Sequence, residues 1–141
     1  MFSGQLALTS VSIFLGCALY MTLVEQSARL TLDDQALVRE WKPSDHRGFP
    51  LLAVLALVGG VLGLLAFFTS GDIRWMAGAL VVMMSWPYWF VVMTPLTARL
   101  LSTAPGVETR QLIRYWGLME AGLCALGAIS VAIFLWALSG T

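Results

Sequence analysis

A chain of 141 residues with 59% hydrophobic and 11% charged residues, and a mean hydropathy of +0.83, has too little polar surface to coat a water-soluble globule. Its basic and acidic residues balance, so there is no basic surface to neutralise phosphates, and nucleic acid is excluded as a partner. The two cysteines, Cys17 and Cys124, lie far apart inside apolar runs, without the spacing of a thiol redox motif or a structural zinc site.

The opening MFSGQLALTS has no basic segment and no clear cleavage site, so the first apolar run reads as a retained span. Four stretches have the about 20 mainly apolar residues that a bilayer-crossing helix needs: 6–24, 49–68, 75–94 and 115–138. The sequence therefore predicts an all-α integral membrane four-helix bundle, one domain over 1–141, with the lipid bilayer as its solvent.

Basic residues distribute unevenly between the spans. The first connector carries Arg29, Arg39, Lys42 and Arg47, the third carries Arg99, Arg110 and Arg114, and the second carries only Arg74. The positive-inside rule then puts the first and third connectors in the cytoplasm and both termini outside.

The first connector is too long for a bare turn. Thr31, Asp33 and Asp34 form a helix start, Leu37, Val38 and Trp41 share a face, and Pro43 is a stop. A short helix lying at the interface is expected, either as a strut or as a lid.

Glu25 and Arg29 stand four apart in the order that favours a helical ion pair. Glu120 falls inside the fourth span, where a carboxylate is costly unless protonated, paired or bound to a cation. The topology puts Glu25, Arg29, Arg99 and Glu120 at one membrane face with Asp45 and His46. Glu25 and Glu120 with His46 and Asp45 have the chemistry of a divalent metal site, and with the two arginines that of a salt-bridge network, which residue types alone favour.

In the third span Trp86, Pro87, Tyr88, Trp89 and Phe90 cluster near mid-bilayer, either lining a flat apolar cavity or packing around a proline kink. Gly59 with Gly63, and Ala121, Ala125, Ala128 and Ala132, form small-residue rows suited to packing inside the bundle or to a homodimer seam. The first span ends VEQSARL and the third TPLTARL, an echo that a helix-pair duplication would leave.

VEQSARL, EWKPSDHRGF, SWPYWFVVMTPLTARL and RQLIRYWGLME, in this order, resemble the small four-span membrane proteins related to fungal anthrone oxygenases. That pattern has Glu and Arg after the first span, met by Glu25 and Arg29, then Trp with Pro-Ser, met by Trp41, Pro43 and Ser44. Its Trp-Pro is met by Trp86 and Pro87. Its Pro-x-Asn-Asn-Arg-Leu is met by Pro95, Thr97, Ala98, Arg99 and Leu100, which keeps the arginine and loses both asparagines. Its Trp-x-x-Leu-His-x-x-Arg is met by Trp116, Met119, Glu120 and Leu123, so Glu120 stands where the family has histidine.

The resemblance implies a bacterial inner-membrane oxygenase or oxidase acting on a hydrophobic, aromatic or phenolic small molecule. Glu25, Arg29, Arg99 and Glu120 would be catalytic, the glutamates as base and acid or metal ligands and the arginines as anion stabilisers. Trp86, Tyr88, Trp89 and Trp116 would bind substrate, and His46 would complete a divalent metal site with Glu25 and Glu120. No glycine-rich nucleotide fingerprint is present, so no nucleotide cofactor is expected. Two other classes fit the same chain: an accessory subunit docked on a larger membrane partner, and a proton-coupled carrier built on Glu120.

Overall fold

The computed structural model describes residues 2–140. Among them are four long apolar helices: α1 (Phe2–Arg29), α2 (Asp34–Ser70), α3 (Ile73–Leu101) and α4 (Val107–Ser139). Their lengths and compositions suit membrane crossing. The helices form a ring in which α1 and α3 each pack against both α2 and α4.

Glycine and small side chains set the close approaches. Gly59 of α2 lies against Val11 of α1, and Gly63 and Gly78 take the ring of Phe134. The Gly59 and Gly63 row therefore serves packing within the chain, whereas Ala125, Ala128 and Ala132 of the second row point outward. Ser130 donates to the Gly78 carbonyl at 2.8 Å, which satisfies a hydroxyl that would otherwise be buried without a partner.

The connectors are fixed by local chemistry. Gly71, at φ 74°, takes the left-handed conformation that ends α2, and its N–H reaches the Phe67 carbonyl at 2.7 Å. Asp72 then caps α3 by accepting from the Arg74 N–H, and its carboxylate also takes the Arg74 guanidinium. Asp33 caps α2 through the Ala36 N–H at 2.8 Å. Arg110 closes the polar end by donating to Asp34 at 2.7 Å and to the Leu30 and Leu32 carbonyls.

The helix expected in the first connector starts where predicted but does not stop at Pro43. It runs on through Pro43 and Pro50 as the first turns of α2, a helix of 37 residues. At about 1.5 Å per residue α2 is about 55 Å long, well beyond the roughly 30 Å of a hydrocarbon core. Both prolines are exposed and lie seven residues apart, so their rings share an outward face and spare the packed side of the helix.

The two hairpins, α1 with α2 and α3 with α4, repeat one another. Each first helix contains a π-helical segment, Tyr20–Glu25 in α1 and Trp89–Met93 in α3, and then ends in Ala-Arg-Leu. Each second helix opens with a matching run, Leu37-Val38-Arg39-Glu40-Trp41 in α2 and Leu112-Ile113-Arg114-Tyr115-Trp116 in α4. In both runs the leucine, the β-branched residue and the tryptophan are buried and the arginine is exposed. Trp41 and Trp116 meet edge to face across the seam, with centroids 5.8 Å apart at 87°.

Candidate functional site

At the polar end of the bundle Arg29 is 2% exposed and organises its neighbours. Its Nε donates to Glu40 at 2.5 Å, Nη1 to Gln26 at 3.0 Å, and Nη2 to Glu25 at 2.7 Å and Ser44 at 2.9 Å. Ser44 donates in turn to Glu25, and the Gln26 amide donates to the Ile113 carbonyl at 3.0 Å. The guanidinium lies over the Trp116 ring, 5.5 Å from its centroid. One Nη1 hydrogen is left without an acceptor among the described residues.

Glu120 sits beneath this network, 4% exposed, and its Oε2 has no hydrogen-bond partner among the described residues. A charged carboxylate in that position costs several kcal/mol, so the group requires a proton or a hydrogen-bonding ligand. The charges that act on it are Arg29, Asp45 and Glu25. Glu120, Asp45, Arg29, Trp89 and Trp116 line one small cavity with room for a single water-sized group, about 10 Å³. Met21 and Met93 also line it, so both π-helical segments border the cavity; such segments recur at functional sites.

A wider pocket of about 310 Å³ lies on the other side of Phe49 and Trp89, lined also by Asp45, His46, Pro50 and Thr97. It continues into a groove along Lys42, Pro43 and Leu101. Asp45 lines all three spaces, and with Phe49 and Trp89 it forms the wall shared by the inner cavity and the outer pocket.

The structure brings together Glu25, Arg29, Glu120, Trp89 and Trp116 of the residues expected from sequence. His46 is exposed and lines the outer pocket and the groove but not the inner cavity, and no group of three His, Cys, Asp or Glu side chains among the described residues could hold a metal ion. Glu25, His46 and Glu120 are thus not gathered as a ligand set.

Arg99 lies outside the site. It is 65% exposed and pairs with Glu108 at 3.7 Å, on the surface. Trp86 is partly exposed and donates to the Ala53 carbonyl, and the Tyr88 hydroxyl donates to the Met119 carbonyl, so both tie helices together and neither lines the cavity.

Gln26, Glu40 and the Ser44 hydroxyl were not among the expected catalytic residues. Gln26 sits one residue after Glu25, on the helix turn that also carries Arg29, and this proximity was the available signal. Glu40 reaches Arg29 only because α2 begins so soon after α1 ends, a relation that no spacing rule encodes. Compared with protein-family models, with curated proteins and with solved structures, the chain matches none, so its functional reading rests on the arrangement of these side chains.

Proposed function

We propose that this chain is a membrane-embedded enzyme of oxygenase or oxidase type, which takes a proton from a hydrophobic phenolic or anthrone-like substrate and uses dioxygen as oxidant. The observation that carries this reading is the unpartnered Glu120 carboxyl at the end of a cavity walled by Trp89 and Trp116. Glu120 is the base, and the spare Nη1 hydrogen of Arg29 receives the developing oxyanion. Glu25, Glu40 and Ser44 hold Arg29 in place.

The substrate ring occupies the outer pocket, whose volume suits a small aromatic molecule, and only its oxygen enters the inner cavity. In this reading the polar end faces the cytoplasm of a bacterial inner membrane and both termini face outward, which the basic first and third connectors support.

The test is oxygen uptake by the purified chain in lipid nanodiscs with anthrone and hydroquinone substrates, alongside elemental analysis of the same preparation. Uptake that disappears in Glu120→Gln, with the fold retained, supports the enzyme. Absence of uptake with all substrates would instead favour an accessory subunit, for which the exposed Ala125, Ala128 and Ala132 face of α4 is the available docking row.

A further inference from the structure

The chain has eight acidic side chains, and six of them have partners. Glu25 and Glu40 pair with Arg29, Asp34 with Arg110, Asp72 with Arg74 and Glu108 with Arg99, while Asp33 caps α2. Asp45 and Glu120 have neither an ion pair nor a hydrogen bond among the described residues. These two share a second property. Asp45 follows Trp41 by four residues and Glu120 follows Trp116 by four, so they occupy the same place in the two repeated hairpins.

The repeat brings both acids to one cavity at the seam between hairpins, where Glu120 is deeply buried and Asp45 is half-buried in the wall shared with the outer pocket. Beyond Asp45 the groove continues past His46, which is exposed. From inside to outside the order is Glu120, Asp45, His46. The other charged groups around this line are Arg29 and Glu25 on α1 and Glu40, Lys42 and Arg47 on α2.

We propose that Asp45 and Glu120 form a proton-exchanging carboxyl pair, in which Asp45 carries the proton between buried Glu120 and the water-accessible groove at His46. This deepens the reading of Glu120 as a base and rests on it for its catalytic meaning. A base sealed in an apolar seam takes one proton and stops unless that proton can leave. Asp45 supplies the exit: the carboxyl of Glu120 gives its proton to the carboxylate of Asp45, which passes it to the imidazole nitrogen of His46 or to groove water. No electrons move in these steps, and each acid returns to its starting form.

The pair is tested without substrate. The full chain in nanodiscs is transferred from H₂O to D₂O, and the infrared carboxylic-acid band that disappears in Glu120→Gln is followed in time. Asp45→Asn is expected to slow deuterium exchange of that band about a hundredfold, the lower end of what a positioned acid or base contributes. Asp45→Glu restores it, and Glu108→Gln, a charge loss at the same end of the bundle, leaves it unchanged. Should Asp45→Asn not fold, Asp45→Ser removes the same carboxyl with a smaller side chain, and slowed exchange is expected there too.

Exchange as fast in the variants as in the wild type overturns the proposal, as does the absence of any acid band from Glu120. Slowed exchange in a chain that consumes no oxygen keeps the proton path and removes the oxygenase reading. Oxygen uptake with unaltered exchange does the reverse.

Discussion

The guanidinium of Arg29 lies over the indole of Trp116, 5.5 Å from its centroid, and this contact joins the first hairpin to the second. The same arginine holds Glu25 and Glu40, so its removal leaves two carboxylates facing each other at the seam. Arg29→Met is expected to destabilise the bundle by about 3 kcal/mol, the lower end for a broken buried pair, because Glu40 is partly open to solvent. Arg29→Lys keeps the charge and loses the fork, and should fall between variant and wild type. Thermal unfolding in a mild detergent checks both.

Glu120 behaves in the opposite way. Its Oε2 has no protein partner, so Glu120→Gln removes no hydrogen bond or ion pair from that atom. Its stability is expected to stay within about 1 kcal/mol of wild type, while oxygen uptake is lost. A large drop in melting temperature would instead give the carboxyl a structural role.

The two small-residue rows separate on mutation. Gly78→Val drives a side chain into the Phe134 ring and should cost about 1–3 kcal/mol in unfolding experiments. Ala128→Leu lies on the outer face of α4 and should leave the melting temperature unchanged. Any effect of Ala128→Leu is then expected in molecular mass measured by light scattering, where it would expose a dimer or a partner contact.

At the opposite end of the bundle Asp72 accepts hydrogen bonds from the Arg74 side chain and N–H, which hold its carboxyl below the ordinary value of 3.8. A folded-state value below the unfolded one means that the contribution is complete above the unfolded value and fades as pH falls toward the folded one. Unfolding of the wild type and of Asp72→Asn, measured from pH 6 down to about pH 3, should therefore converge on acidification.

The spans were legible because lipid imposes a long apolar run on each of them, and the polar mouth because charges in such a chain have few places to go. Pro43 misled as a stop signal. Its missing N–H and its ring fall on the exposed side of α2, where they disturb no packed neighbour. Arg99 misled because the topology puts it at the same membrane face as Arg29 and the family pattern keeps an arginine there. The difference was already present four residues earlier, where Arg29 has Glu25 and Arg99 has Pro95, and in the matching helix starts, where Glu40 is replaced by Tyr115. Asp45 and Glu120 were each noticed, but their equivalence emerges only when the two helix starts are set side by side.

Two identical hairpins paired as separate copies would have to carry every seam residue twice: two buried arginines, two sets of counter-charges, and two acids of equal length and equal depth. Joining the hairpins in one polypeptide lifts that obligation. The seam keeps one arginine inside and sends the other to the surface, and it sets a shorter acid at the doorway and a longer one within. A site with a front and a back, and therefore a direction for traffic, becomes available to a bundle of nearly symmetrical design.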